Sequence, residues 1–356
     1  MSTWGYFNAT VTAALYTKWS QLQRTTAIFL TPLSWIFGLL IKIRHLLYEA
    51  KWLPQYKTKA FTVSVGAIEA GGSGKTPVSI HLLQKLMRQN KKVGFLSRGY
   101  GRSTEGLVVR QKGEKVGAQE YGDEPALLLN RYADVPAAIC TKRIVGADYL
   151  SNIGCDTIIC DDAFSHRALE RDLDIVVLRG EAPFADGHLL PRGHLREPLS
   201  SLQRADLIWL HYKSPIPISA LESEVLKIIG DKPCICSVSH LALRDLAGTS
   251  ITPAGQNVIG AAGIAHPQSF ARMLEDLGLN VLDFIAFPDH CSFNRADQEK
   301  LQTRLKAQEN PPLVVTAKDA VKLNEIWSYP RIWIADLEIE VIQGQEHLNS
   351  VLKSMP

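Results

Sequence analysis

Acidic residues are nearly absent from the first sixty positions of this 356-residue chain, where Glu49 stands alone against Lys18, Arg24, Lys42, Arg44, Lys51, Lys57 and Lys59. That stretch accounts for more than the formal net charge of +3. The remainder lacks the basic field that nucleic-acid binding requires, so no nucleic-acid partner is expected, and no obligate protein partner is evident. Cysteine is sparse too: residues 140, 155, 160, 234, 236 and 291 are too few in so long a chain for a disulfide framework. Cys155 and Cys160 lie in or beside one apolar strand, and Cys234 and Cys236 alternate on another. Buried thiols in a reducing cytoplasm suit them. No second Cys/His pair has the spacing of metal ligands, and no internal repeat or low-complexity tract is present.

A membrane-spanning run is also hard to find. Between Arg24 and Lys42 lie seventeen uncharged residues, TTAIFLTPLSWIFGLLI, at the lower limit of a span and interrupted by Pro32 and Gly38. No small-residue cleavage site follows, as a signal peptide would need. The cationic flank and the aromatic set Trp4, Tyr6, Trp19, Trp35, Tyr48 and Trp52 favour a monotopic helix lying on anionic lipid over a true span or a buried packing helix. Pro32 either bends this helix or starts its better-ordered half.

What the chain does have is the segment Phe61–Pro77, FTVSVGAIEAGGSGKTP. A β-branched run enters a glycine-rich turn that closes on Gly74-Lys75-Thr76 before a helical pattern. Gly71, Gly72, Ser73 and Gly74 let backbone N–H groups converge on phosphate oxygens, aided by the positive end of the helix. Lys75 can reach the β- and γ-phosphates, and the Thr76 hydroxyl can ligate Mg²⁺. ATP and Mg²⁺ are therefore the expected ligands. Glu69 occupies the position of the first glycine of G-x-x-x-x-G-K-[ST], so Gly66 is the expected anchor of the loop.

The rest alternates in a βα rhythm. Strands are expected at 61–66, 92–97, 136–140, 156–160, 174–178 and 206–211, a hairpin within 105–122, and helices at 76–89 and from about 123. This predicts an α/β fold: a mostly parallel sheet of P-loop type covered on both faces. KSPIPI at 213–218 breaks the pattern as a linker. The division is then an amphipathic membrane-associated region at 1–55, a phosphate-loop core at 56–212 and a smaller α/β domain at 219–356. In that second part, Pro267–Leu277 reads as a helix, Asn294 as an N-cap, LVVTAKDAVKL as strand–loop–helix and RIWIADLEI as a strand.

The apolar strand DTIIC runs into Asp161-Asp162, at the edge where such sheets hold a nucleotide's Mg²⁺. Either carboxylate can take the metal directly. His166 and Arg167 lie close enough in sequence to meet phosphate. Arg98 and Arg102 flank Gly99-Tyr100-Gly101 at a strand end, and PRGHLREP, carrying Arg196, forms a second basic loop. Asp123 in YGDEP is explained by helix capping or by catalysis. His290 in FPDH could pair with a carboxylate and poise it as a base.

Together these segments resemble the tetraacyldisaccharide 4'-kinase family, the lipid A 4'-kinases of Gram-negative envelope synthesis. The matching pieces are PLSW with RHLLYEA, VG with GGSGKTP, SRGYGR, GDEP, DDAFSHRALERDLDI, DGHLLPRGHLREP, AGIAHPQSF, FPDHCSF and TAKDAVK, in family order from about 30 to 325. The resemblance implies γ-phosphoryl transfer from ATP to the 4'-hydroxyl of a tetraacyldisaccharide 1-phosphate at the cytoplasmic face of the inner membrane. It implies nucleotide and metal roles for Lys75 and Thr76, metal and catalytic roles for Asp161 and Asp162, and a catalytic Asp123–His290 dyad. Arg196 matches the substrate-side arginine; Arg98 and His166 join it as candidate substrate contacts. Ala163 and Ser165 depart from the family's usual Gly and Gln, Ala317 from a glutamate, and Arg192 and His194 add charge.

The competing reading is a membrane-associated nucleotide switch of GTPase or partitioning-ATPase type. A GTPase should carry N-K-x-D, which is absent. A degenerate scaffold without turnover is opposed by intact Lys75, Thr76, Asp161 and Asp162.

Overall fold

The computed structural model describes residues 29–114, 116–213, 221–264, 267–289, 291–327 and 329–355. Trp4, Tyr6, Trp19 and positions 214–218 of the expected linker lie outside them. In chain order, α1 (Thr31–Glu49) leads to β1 (Phe61–Gly66), α2 (Lys75–Arg88) and β2 (Val93–Ser97). Next come β3 (Val108–Arg110), α3 (Ala118–Tyr121), α4 (Asp123–Arg131), β4 (Ala137–Ile139), α5 (Arg143–Asn152) and β5 (Thr157–Asp161). β6 (Leu173–Arg179), a 3-10 turn at Leu199–Arg204 and β7 (Leu207–Tyr212) end the first half. The second contains α6 (Leu221–Ile229), β8 (Cys234–Asp245), β9 (Ser250–Ile251), β10 (Asn257–Ala262), α7 (Pro267–Asp276) and β11 (Asn280–Ala286). It closes with α8 (Arg295–Ala307), β12 (Leu313–Thr316), α9 (Ala317–Ile326), β13 (Ile332–Gln343) and α10 (Gln345–Ser354).

The strands form one sheet in the order β11-β10-β12-β13-β8-β7-β6-β1-β5-β2-β4-β3, with β9 beside β8. Pairing is parallel except at β3–β4, β8–β9 and β8–β13. β1 lies between β5 and β6, and the unbroken burial of residues 62–66 reflects a strand covered on both faces. β8 joins the halves: Cys234–Val238 run parallel to β7, while Cys236–Asp245 run antiparallel to β13.

Val78, Leu82, Leu83 and Leu86 of α2 recur at helical spacing, and the helix packs against β1, β2, β5 and β13. Leu348 and Leu352 of α10, with Met355, enter the same core. The chain therefore crosses back after β13 to close the first half's core, each buried leucine contributing about 1.5–3 kcal/mol.

Pro32 occupies the first turn of α1, where its missing N–H costs nothing, so it starts this helix. Asn294 caps α8 through a reciprocal capping box with Asp297. All six cysteines are free thiols. The expected hairpin within 105–122 does not form. β3 pairs instead with β4, and the following residues turn into α3, because the alternating pieces are too short to pair with each other. The loop expected within LVVTAKDAVKL is also absent: Thr316 accepts the Asp319 backbone N–H at 3.2 Å and starts α9 directly after β12.

Candidate active site

The carboxyl ends of β1, β5, β2 and β6 meet where the strand order reverses, the place at which open α/β sheets bind ligands. β1 stops at Gly66 because a Cβ there would lie 2.4 Å from Phe164 Cβ, and only glycine lets the strand end pass beneath the loop after β5. Glu69, which stands where the motif has glycine, is buried and accepts an Arg179 N–H at 2.8 Å. Its backbone bridges to Leu195. An ion pair thus fastens the start of this phosphate loop.

At the other end, Gly74 adopts φ +89° and caps α2, and a Cβ there would sit 2.3 Å from the ring of His211. His211 is buried, with Nδ1 2.9 Å from Ser237 Oγ and Nε2 2.9 Å from Ser239 Oγ. Burial pushes its pKa down to about 4, so the floor of the loop is neutral. Lys75 opens α2 with Nζ 3.5 Å from Gly71 O and 3.8 Å from Asp162 Oδ1. Thr76 Oγ1 donates to Glu124 Oε2 at 2.6 Å. The Ser73 hydroxyl is buried without a partner.

β5 delivers the adjacent aspartates into different surroundings. Asp161 is buried; Oδ2 accepts the Ser97 hydroxyl at 3.3 Å, and Oδ1 has no partner. Its pKa is pushed up to about 7, first by burial, then by the charges of Glu124 and Asp162, against the pull of Arg143 and Lys75. Asp162 has φ +49° and accepts two hydrogen bonds from Arg196, at 2.9 and 2.7 Å. Burial opposes its ionisation, yet those bonds, with Lys75 and Arg143, hold its carboxyl below the usual range. Arg196 also donates to Glu69 O at 3.0 Å, so one guanidinium ties the basic loop to both the phosphate loop and Asp162.

The residues suit Mg²⁺. An unpartnered buried carboxylate oxygen and a neighbouring hydroxyl at a phosphate loop are hard oxygen donors. Among the described residues, no three His, Cys, Asp or Glu side chains converge as a protein-only metal cage. That matches the usual pattern, in which one or two carboxylates hold the ion and phosphates and water supply its remaining ligands.

Of the expected substrate residues, His166 and Arg98 lie close enough to interact electrostatically. The pKa of His166 is pushed down to about 4 by burial, then by Arg143, Arg171, Arg44 and Arg98. Arg98 stands exposed past the end of β2. Asp123 opens α4 beside Glu124, whereas His290 lies outside the described residues. Arg143 was not legible as a site residue: it is buried and donates to Asp161 O at 2.9 Å. Glu124, readable from sequence only as a first-turn acid, proves to be the partner of Thr76.

Residues 26–355 match the family model described as tetraacyldisaccharide-1-P 4'-kinase. A tetraacyldisaccharide 4'-kinase of Anaeromyxobacter sp. (strain Fw109-5) is 37% identical over 341 residues, 90% of each chain. That of Chlorobium phaeovibrioides is 32% identical over 350 residues, covering 94% of this chain and 99% of the relative. Among solved structures, the "apo" form of LpxK from Aquifex aeolicus in complex with ATP superposes with a TM-score of 0.75 at 27% identity, covering 93% of this chain and 99% of that one.

Proposed function

Since the chain belongs to the tetraacyldisaccharide 4'-kinase family and phosphorylates tetraacyldisaccharide 1-phosphate from ATP, we propose the following division of labour among its residues. The observation that carries it is the phosphate loop set against Asp161, with its unpartnered oxygen, and against Asp162, held by Arg196. Gly71, Gly72, Ser73 and Gly74 present N–H groups to the β- and γ-phosphates, and Lys75 stabilises the charge that develops on the transferred group. Thr76 and Asp161 would hold Mg²⁺, with Asp162 close enough to take part. When bound, the ion neutralises phosphoryl oxygens. To hold it, Thr76 would have to leave Glu124.

Asp123 accepts the proton of the 4'-hydroxyl, His290 orients Asp123, and Arg196, His166 and Arg98 form the acceptor side. Phosphoryl transfer needs little covalent help from the protein, so positioning and electrostatics carry most of the acceleration. The division at 213–218 would let the part after it complete the cleft, with β8 as the shared strand.

The test is a set of single and double variants. Asp123→Asn and His290→Ala should each lower kcat by about 10²-fold or more, and the pair should lose less than the product of the two. Once the carboxylate is gone, the histidine has nothing to orient. ATP affinity should barely change. Multiplicative losses would show independent roles, and a raised KM for ATP at constant kcat would move Asp123 to the nucleotide side.

The acyl chains would remain in the cytoplasmic leaflet of the inner membrane, with α1 lying on it. Leu33, Ile36, Leu40 and Ile43 stand exposed at three- and four-residue spacing beside Trp35 and Leu39. No described helix is long and apolar enough to cross a membrane. Replacing Trp35, Ile36 and Leu40 by glutamate should release the protein from anionic vesicles in a sedimentation assay while ATP binding persists. Full retention on the vesicles would remove the anchor role.

A further inference from the structure

α1 is inverted relative to an ordinary surface helix, since its apolar residues face outward. Ser34, Gly38, Ile41, His45 and Tyr48, spaced by four and three, face the protein. Apolar burial on this helix is confined to Ile41 and Tyr48, and specific polar contacts orient it. The Ser34 hydroxyl donates to Leu189 O, and Gly38 packs so closely that a Cβ would lie 2.8 Å from Leu189 Cδ1. Arg44 donates to Ser165 O at 2.6 Å. Arg167 donates to His45 O at 3.3 Å. Tyr48 lies between the guanidinium groups of Arg44 and Arg167, at 5.7 and 5.2 Å.

These contacts fall on two loops only, the one after β5 that carries Asp162 and the one at 189–197 that carries Arg196. The two loops meet where Arg196 grips Asp162. At their junction with α1 is Glu197, 1% exposed, with His45 Nε2 2.9 Å from its Oε2, a close polar contact that is not aligned as a hydrogen bond. The same oxygen accepts the Ser201 hydroxyl at 2.9 Å and an Arg204 N–H at 3.3 Å. A helix serving only to hold lipid has no need of a buried carboxylate, whose desolvation is costly. A helix that must set the position of the neighbouring residue does.

We propose that α1 is a positioning element for the acceptor side of the site, and that His45, acting through Glu197, is a positioning residue for Arg196. The proposal rests on the reading of Arg196 as an acceptor-side group. The geometry couples the lipid-facing helix to the loop that meets the sugar phosphate: a shift of α1 moves Glu197, and Arg196 with it. Lipid engagement and acceptor alignment are then one event.

The experiment uses the full chain with tetraacyldisaccharide 1-phosphate in mixed detergent micelles at fixed surface fraction. His45→Ala should lower kcat/KM for the acceptor by about tenfold, with KM for ATP and sedimentation with anionic vesicles unchanged. His45→Gln, which keeps a polar group against Glu197, should recover most of the loss. Should His45→Ala fail to fold, His45→Phe fills the space without a polar edge and is read in the same way. Unchanged acceptor kinetics overturn the proposal, as does an equal rise in both KM values without rescue by glutamine, which marks a merely structural role. Arg196→Ala, run in parallel, separates the two readings. Normal acceptor kinetics there remove the acceptor-side assignment, whereas altered kinetics there with a normal His45→Ala remove only the proposal.

Discussion

Lys75→Ala is expected to lower kcat by about 10³-fold while leaving a folded protein. The ammonium group reaches Gly71 O at 3.5 Å and Asp162 at 3.8 Å, distances too long to carry much stability. Its site is the first residue of α2, and the apolar face of that helix, from Val78 to Leu86, does not depend on it. What disappears is a positive charge placed to act on the phosphoryl group as negative charge moves toward the leaving oxygen. The loss should appear in kcat with Mg·ATP saturating and in kcat/KM equally, the mark of an interaction strongest in the transition state. A melting curve close to the parent protein's separates this from unfolding. Near-normal kcat in a folded variant would remove the phosphate loop from the mechanism.

Asp161→Asn should also cost about 10²-fold or more in turnover, for a different reason. The adjacent carboxylates are not equivalent. Asp162 is neutralised by Arg196, while Asp161 keeps a buried oxygen without a partner. An amide preserves shape and the Ser97 contact but supplies no charge to a cation. The Mg²⁺-dependent gain in ATP affinity should therefore shrink in a filter-binding or fluorescence assay, whereas Mg²⁺-independent nucleotide binding should remain. The parent protein adds a pH signature. A carboxyl pushed up to about 7 by burial must lose its proton before it meets a cation. Its useful form is the deprotonated one, so kcat/KM should climb with pH toward 7 and fall about tenfold per unit below. A flat profile from pH 5.5 to 8, or full Mg²⁺ dependence in Asp161→Asn, would pass the metal role to Asp162.

The local chemistry of this chain was written in consecutive residues. FTVSVG followed by GGSGKT can hardly be other than a strand, a phosphate-cradling turn and a helix start, because φ > 0 at Gly71 and Gly74 and the helix dipole are local requirements. DTIICDD similarly announces an apolar strand that ends in carboxylates, and the βα rhythm implies the parallel sheet that puts both motifs on one edge. The ordered set of motifs then pointed to the kinase family, which the matched relatives bear out. Pro32 at the start of α1 and the Asn294 cap were legible for the same reason.

Contacts across long stretches of chain were not. No spacing rule joins Glu69 to Arg179, Thr76 to Glu124, or Asp162 to Arg196, and each pair exists only because separate strands end side by side. Sequence left the two aspartates interchangeable; packing then buried one beside Ser97 and turned the other toward a guanidinium. The apolar residues of 29–46 favoured an anchor over a span or a core helix without showing which face would meet the protein. Only the polar docking of Ser34, Arg44 and His45 sets which face looks outward. The C-terminal return of α10 into the first half's core was likewise decided by tertiary structure, since Leu348 and Leu352 join the buried cluster that holds Val78 and Leu82, more than 250 residues away in sequence. Residue type and near-neighbour order determine what each segment can do. Which of those capabilities meet at one point is determined by burial and long-range pairing, whose free energy is gained only when the whole sheet closes.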